Sequence, residues 1–192
     1  MVEQHVRTWL KEFVVGLNLC PFAKPVLASD SLRISVCESD ELTQVAQLFM
    51  DELDLIRKAP ESEIATTLLV MPSALNDFEE YLSFLDNAEN LAEDMGFDGI
   101  IQLASFHPDY LFDGEPADAA SHFTNRSPYP MIHFLREEMM ERVLEDFPNP
   151  EQIPQRNIKT LEGIGRAEIE KRWNRLKWKQ LKQISTATMW LF

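Results

Sequence analysis

Hydrophobic and polar residues follow two periods along the chain, one typical of helices and the other of strands. Near the N-terminus, apolar residues recur three and four positions apart from Val6 to Leu17, which predicts a helix with one buried stripe. Pro21 is expected to end this helix, because a proline biases the preceding residue away from helical dihedral angles. Cys20 is therefore predicted to lie just past a helix C-terminus.

Three later segments have the pattern of strands, and two predicted helices separate them. Residues 32–37 alternate between apolar and polar side chains, while residues 66–71 and 99–106 are more continuously apolar. Apolar residues at helical spacing fill the intervals 39–58 and 76–95. Parallel strands need crossovers of about this length, so we predict an α/β fold with a small, mainly parallel three-stranded sheet and flanking helices.

The last third of the chain is predicted to be helical. Pro130 suits the first position of a helix, and the apolar spacing after it predicts a helix that runs to Phe147. A proline-rich stretch follows, and we place a boundary there between an α/β body (residues 1–148) and a helical C-terminal extension (residues 149–192). The extension ends in the apolar sequence MWLF, which either folds back on the body or forms a homodimer.

Charge and composition exclude several classes of partner. The 192-residue chain has 32 acidic and 18 basic residues, and both nucleic acids and anionic membranes need clustered Lys and Arg. We therefore expect neither as a partner. The N-terminus lacks the apolar core of a signal peptide, and no apolar run approaches the roughly 20 residues of a membrane span. Two cysteines make no disulfide framework, so a cytoplasmic location is expected.

A polar, proline-rich segment between Ser105 and Glu138 contains most candidate site residues. Its two blocks read SFHPDYLFDGEP and NRSPYPMIHFLREE. His107 and Asp109 follow the third predicted strand, at the edge where open α/β sheets bind ligands. A histidine with an aspartate two residues on can act as an oriented general base. The alternative is a half-buried histidine that closes a strand end.

The predicted helix after Pro130 suggests an anion pocket. A helix N-terminus has partial positive charge and unpaired N–H groups, which would keep His133 neutral and able to accept a proton. Arg126 precedes this helix and Arg136 shares a face with His133, so the two arginines are predicted to bind a carboxylate or phosphate. Alternatively, the arginines pair with acidic residues and only fix the loop. The further candidates for substrate binding are Asn125, Ser127 and Tyr129.

Cys20 is the candidate nucleophile, on the condition that His107 lies beside it. A helix C-terminus is the wrong end for lowering a thiol pKa, so a small core residue is the alternative for Cys20, and Cys37 is expected to pack. We expect no metal and no other cofactor, because no metal-motif spacing or glycine-rich phosphate loop is present. The side chains competent as ligands are Cys20, His107, Asp109, His122 and His133.

Four ordered blocks of sequence resemble one family. They are NLCPFA (18–23), TTLLVMP (66–72), ASFHPDY (104–110) and NRSPYPMIHFLRE (125–137). With these blocks the chain is identified as a member of the domain of unknown function 1415 family of bacterial proteins. The resemblance implies no activity, cofactor or catalytic residue, and it leaves the tail after Pro148 outside. It includes Cys20, His107, Asn125, Arg126, His133 and Arg136 among the motif-bearing positions.

The leading hypothesis is a small cytosolic enzyme that acts on an anionic small molecule. Arg126 and Arg136 would hold the anion, His107 or His133 would be the acid or base, and Cys20 would be a nucleophile or a wall residue. Two alternatives stay open. One is a non-catalytic binding or regulatory module for the same kind of ligand, and the other is a protein-interaction adaptor that uses the apolar C-terminus.

Overall fold

The computed structural model describes residues 1–145 and 149–176. The chain begins with helix α1 (Val2–Trp9), which continues into a π-helical turn at Leu10–Val15. The predicted apolar stripe of this helix is buried, with Trp9 and Phe13 each 1% exposed. A short helix, α2 (Ala23–Ala28), follows. The predicted N-terminal helix is therefore confirmed, and its last turns are wider than an α-helix.

A four-stranded mixed sheet lies at the centre of the protein. Its strands are β1 (Leu32–Val36), β2 (Thr66–Val70), β3 (Ile101–Phe106) and β4 (Met131–Arg136), in the spatial order β1-β2-β4-β3. Strands β1 and β2 are parallel, whereas β4 is antiparallel to both β2 and β3. The α/β class is confirmed. The predicted three-stranded, mainly parallel sheet is wrong, because β4 is inserted between β2 and β3.

Strand β4 occupies the place of the predicted helix start after Pro130. Helix α5 (Glu137–Glu145) begins only where the strand ends. Met131, Ile132 and Phe134 are fully buried, because helices cover both faces of the sheet at this strand. A strand that is covered on both faces loses its alternating pattern, so its apolar run also fits helical spacing. The predicted positive helix tip at Pro130 is therefore wrong.

Helices cover the two faces of the sheet. On one face, α3 (Leu42–Lys58) and α4 (Phe78–Asp94) bury a core around Phe49 and Tyr81. On the other face, the N-terminal helix packs with α6 (Ile153–Ile164) and with the helical residues 166–176. Short 3₁₀ turns at Ala120–Thr124 and Pro150–Gln152 complete the described elements.

The C-terminal region packs against the N-terminal helix as far as it is described. Trp173 meets the ring of Phe13 edge to face, with 5.7 Å between the centroids, and Leu161 is fully buried. The predicted helical character is confirmed for this part, while the boundary at residues 148/149 stays a prediction. The MWLF end, predicted either to fold back on the body or to form a homodimer, lies outside the described residues. Among the described helices, none is both long and apolar enough to cross a membrane.

Candidate functional site

A cleft of about 540 Å³ opens where the end of β3, the loop after it, the N-terminal region and the start of α6 meet. We call it the outer cleft. Its walls are mainly apolar and include Val14, Leu19, Phe106 and Phe112. The polar residues that line it are Cys20, Ser121, Thr124, Asn125 and Asn157, together with the carboxylates of Asp113 and Glu115. Clefts of this size and character are typical of small-molecule sites.

A second cavity, the inner cavity, lies deeper under the N-terminal helix and has a volume of about 70 Å³. It is almost entirely apolar, and His133 and Thr66 are among its lining residues. Val14, Cys20 and Phe106 line both cavities, so they form a common wall. Cys20 is the thiol at this wall. Cys20 thus lines the same cavity as His133, whereas His107 lines neither of these two cavities.

The chain around Cys20 is shaped by the π-helical turn that precedes it. Gly16 ends this turn, and a Cβ there would overlap the carbonyl oxygen of Glu12. Asn18 then takes a left-handed conformation (φ 53°), and Leu19 N–H returns to the carbonyl of Val14. Single π-turns of this kind are frequent at functional sites, because they redirect one segment of a helix. Here the turn places Cys20 against the sheet.

The environment of the Cys20 thiol keeps it protonated. Burial raises its pKa, and hydrogen bonds from the backbone N–H groups of Phe22 and Ala23, with the nearby charge of Arg156, oppose that rise only in part. The prediction that Cys20 follows a helix C-terminus is confirmed. It also lies three residues before α2, and the N–H groups of the N-cap residue Phe22 and of Ala23, the first residue of that helix, contact the sulfur.

One ring nitrogen of His133, Nε2, forms a hydrogen bond in the described chain. Its Nε2 lies 2.6 Å from Thr66 Oγ1, and that hydroxyl donates its own proton to the carbonyl of Phe134 at 2.6 Å. Since the hydroxyl proton is already engaged, Nε2 must be the donor of the ring, and Nδ1 carries the lone pair. Burial among apolar groups lowers the pKa of His133 to about 4. The imidazole is therefore neutral, as predicted, although no helix tip causes it.

His107 lies at the end of β3 as predicted, but it is fully buried on the opposite side of the sheet. Its Nε2 donates to the carbonyl of Leu75 at 3.1 Å, and its Nδ1 accepts the N–H of Asp109 at 3.1 Å. The rings of Phe78 and Tyr81 pack against it. Burial lowers its pKa, so the ring is neutral with both nitrogens occupied. The condition set for a nucleophilic Cys20, that His107 lies beside it, is therefore not met.

Arg136 stabilises the end of a helix. Its guanidinium donates to the carbonyls of Ile56 and Ala59 at the C-terminus of α3, at 2.7 Å for Ala59, and its Nε donates to Ile64 at 3.0 Å. A cation there also complements the negative end of the helix dipole. Burial lowers the pKa of Arg136 from its usual value. The side chain is a helix cap and not a ligand anchor.

Arg126 precedes the start of β4, so it lies at the other end of that strand from Arg136. Strand β4 has six residues, which separates its two ends by roughly 17 Å at the usual rise per residue. The guanidinium of Arg126 packs 4.6 Å from the ring centroid of Phe123, and its Nε donates to Tyr110 O at 3.3 Å. The predicted two-arginine clamp on one anion is therefore wrong.

The remaining predicted site residues have structural contacts. Asn125 lines the outer cleft, and its amide donates to the carbonyl of Ser105 at 3.0 Å. Ser127 is fully buried and donates to the carbonyl of Tyr129, whose hydroxyl lies 3.2 Å from His5 Nδ1. The side chain of Asp109 is exposed. Of the predicted binding residues, only Asn125 lies in a cavity wall.

Ser121 and Asn157 are among the residues of the outer cleft that the sequence did not predict. Ser121 and Asn157 are 5% and 8% exposed, and the Oγ of Ser121 and the Oδ1 of Asn157 have no hydrogen-bond partner among the described residues. Asn157 donates through Nδ2 to the carbonyl of Leu19 at 2.6 Å, so its oxygen is the unused group. No sequence signal could have found Asn157, because it lies in the segment predicted to be a separate extension.

His122, a candidate metal ligand in the sequence, fixes the loop at the mouth of the outer cleft. Its Nδ1 accepts the N–H of Phe112 at 3.1 Å, and its Nε2 donates to the carbonyl of Pro116 at 2.8 Å. These bonds hold the loop that carries Asp113 and Glu115. Among residues 1–145 and 149–176, no three His, Cys, Asp or Glu side chains cluster as a metal site would require.

The fold and the two cavities define a mixed-sheet α/β protein with a candidate small-molecule site beside the N-terminal helix. The chain belongs to the family described as "Protein of unknown function (DUF1415)", whose family model matches residues 1–171. The resemblance drawn from the four sequence blocks is thereby confirmed. The expectation that the family ends at Pro148 is wrong, because the match includes α6 and so both walls of the outer cleft. No match was found among the curated proteins or the solved structures.

Proposed function

We propose that this protein binds a small molecule in the outer cleft. The observation that carries the proposal is the cleft itself, whose lining includes two nearly buried residues with unpartnered side-chain oxygens, Ser121 and Asn157. A buried polar atom without a partner costs about 1–3 kcal/mol, so such atoms are few in native proteins, and each marks a place where a polar group of water or of a ligand can bind. The volume of about 540 Å³ and the apolar walls agree with such a ligand.

Thermal denaturation against a diverse library of small molecules tests this proposal. A ligand of the outer cleft should raise the melting temperature of the wild-type protein, because it binds only the folded state. Asn157→Leu should reduce that stabilisation, and so should Ser121→Ala. Asn90→Ala is the control, since Asn90 is exposed on α4 and lines no described cavity. The proposal fails if no compound stabilises the protein, or if both cleft variants respond as the control does.

A second candidate function, catalysis through Cys20, is favoured by one specific observation. Cys20 lies in the wall between the outer cleft and the inner cavity that contains His133. In such a reaction the sulfur would add to a carbonyl carbon of the ligand, whose C=O π electrons would move to the oxygen, while the thiol proton moved to Nδ1 of His133. The resting pair is neutral, because burial raises the pKa of Cys20 and lowers that of His133.

The rate of alkylation by iodoacetamide distinguishes a catalytic thiol from a wall residue. For a wall residue the rate should be low at pH 7 and rise toward alkaline pH, because only the thiolate reacts. Cys37→Ala is the background for this measurement, since it leaves Cys20 as the sole cysteine. The catalytic candidate requires that His133→Gln slow the reaction and that a cleft ligand accelerate it. If neither change affects the rate, Cys20 belongs to the wall alone.

A further inference from the structure

We infer that the inner cavity binds a short aliphatic alcohol, whose hydroxyl group donates a hydrogen bond to Nδ1 of His133. The inference concerns the inner cavity alone and does not depend on the ligand of the outer cleft. The same lone pair accepts the thiol proton of Cys20 in the second candidate function, so a bound alcohol would block that transfer. Three properties of the cavity lead to the inference, which are its apolar wall, its accessible imidazole nitrogen and its volume.

The wall of the inner cavity is apolar and carries no charge. The N-terminal helix, α2 and the sheet all contribute to it, and its described lining includes no Asp, Glu, Lys or Arg. Among its apolar members are Leu10, Val26, Leu68, Phe106 and Met139. An ion would lose its hydration in such a cavity without gaining a counter-charge, which is unfavourable. The ligand of this cavity is therefore uncharged.

Most polar groups of the lining are already hydrogen-bonded. The Oγ1 of Thr66 donates to the carbonyl of Phe134 and accepts from Nε2 of His133, both at 2.6 Å. The sulfur of Cys20 accepts from two backbone N–H groups. Nδ1 of His133 differs from these atoms, because it carries a lone pair and has no partner in the described chain.

The Nδ1 atom of His133 is also accessible to a ligand. Five unpartnered side-chain nitrogen and oxygen atoms of the described chain have almost no accessible surface. Trp9 Nε1, which belongs to the same cavity lining, is one of the five and so offers no donor, whereas Nδ1 is not among them. His133 is half-buried although β4 is a central strand, and the cavity that it lines is the inner one. Nδ1 is therefore an accessible acceptor in the cavity wall.

The size and polarity of the cavity favour an alcohol over water as the donor. A buried water needs about two to four polar partners, and Nδ1 supplies one, beside a weakly polar thiol. An alcohol needs only that acceptor for its proton, and its carbon atoms gain from burial against the apolar wall. An apolar cavity of about 150 Å³ binds benzene, so the inner cavity, with about 70 Å³, suits a ligand of about three to four non-hydrogen atoms.

A matched pair of probes, 2-propanol and acetone, tests the inference. The two molecules have the same carbon skeleton and the same number of non-hydrogen atoms, but only the alcohol can donate a hydrogen bond. Dissociation constants are measured by NMR titration of the full chain at pH 7.5, where the imidazole is neutral. The alcohol is expected to bind about tenfold more tightly, because the ketone oxygen would face the lone pair of Nδ1. The ¹⁵N chemical shift of Nδ1 should change with the alcohol and not with the ketone.

Variants that fill the cavity connect the binding to this site. Ala23→Leu enlarges a side chain of the cavity lining and should weaken 2-propanol binding about tenfold. Ala28→Leu is the control, because it adds the same atoms at the exposed end of α2, outside the lining, and should leave the dissociation constant unchanged. If Ala23→Leu does not fold, Val26→Leu adds one methylene group to the same lining and should weaken binding about fourfold.

Three results would overturn the inference. If neither probe binds, the cavity takes no alcohol, while the proposed binding function of the outer cleft is unaffected. If acetone binds as tightly as 2-propanol, Nδ1 of His133 is not the acceptor. If the cavity-filling variants bind 2-propanol as the wild type does, the alcohol binds elsewhere on the protein.

Discussion

Replacing His133 with glutamine should remove part of the protein's sensitivity to acid. In the folded protein the imidazole lies against the apolar inner cavity, with Thr66 Oγ1 as its only hydrogen-bond partner in the described chain. Burial lowers its pKa to about 4, whereas the same group in the unfolded chain titrates near 6.5. Glutamine can keep the hydrogen bond to Thr66, because its amide donates where Nε2 does. The substitution therefore removes the titration more than the contact.

The size of the effect follows from the two pKa values. Above about pH 6.5 the ring is neutral in both states, and it adds no pH dependence. As the pH falls below 6.5, the unfolded chain binds a proton that the folded protein does not, so stability is lost until about pH 4. The loss from this one group is about 1.4 kcal/mol at pH 5.5 and approaches about 3 kcal/mol at the acid limit. The loss of stability at pH 5.5 is set mainly by the pKa of His133 in the unfolded chain, because its pKa of about 4 in the folded protein lies well below this pH.

Urea denaturation of both proteins at pH 7.5 and pH 5.5 measures this difference. The lower pH stays above the sequence pI of about 4.7, where aggregation would interfere. Other titrating groups act equally in both proteins and cancel in the comparison. The free energy of unfolding of the wild type, relative to His133→Gln, should fall by about 1.4 kcal/mol between the two pH values. A constant difference would mean that His133 protonates as readily in the folded protein, and the neutral imidazole would be refuted.

Two further predictions concern the elements that frame the site. Arg136→Met should destabilise the protein by about 2–3 kcal/mol in urea denaturation, because it leaves the carbonyls at the end of α3 without their charged donor. Arg126→Met should lower the free energy of unfolding by about 1 kcal/mol, since it loses one long hydrogen bond and one ring contact. If both arginine variants lowered it equally, the helix-cap role of Arg136 would be contradicted. Gly16→Ala should cost about 1–3 kcal/mol through overlap with the Glu12 carbonyl, whereas Gly163→Ala, with open space around it, should be neutral or stabilising. A harmless Gly16→Ala would show that the π-helical turn can relax.

The sequence predicted the N-terminal helix, which is buried on one side, and also β2, which is buried on both faces, but it failed at β4. The stripe of Val6, Trp9 and Phe13 has one buried face, so its period reports a helix directly. In β4, Met131 packs on one face of the sheet and Phe134 on the other, so no alternation marks the strand. Its place between β2 and β3 is a property of the whole sheet. No local pattern encodes which strand fills that place.

The candidate site was predicted only in part for a related reason. Cys20 and Asn125 were found because each stands in a distinctive local sequence, and both line the outer cleft. Asn157 and Ser121 have no distinctive local sequence. They are singled out because their side-chain oxygens have no hydrogen-bond partner among the described residues. An unsatisfied atom exists only after the rest of the chain has been placed around it. It is therefore visible in coordinates and not in composition.

The predicted anion pocket at the two arginines was wrong for the same physical reason. The sequence has two arginines near one predicted helix tip. An arginine whose internal partner is unknown is most simply predicted to bind an anionic ligand. Once the chain is folded, Arg136 spends its donors on the end of α3, and Arg126 lies on Phe123. The outer cleft is lined instead by the carboxylate residues Asp113 and Glu115 and by uncharged residues, with no Lys or Arg among its described lining residues. Charge in a sequence is therefore informative about a ligand only after the internal partners of each charged group are known, and here those partners are the end of a helix for Arg136 and an aromatic ring for Arg126.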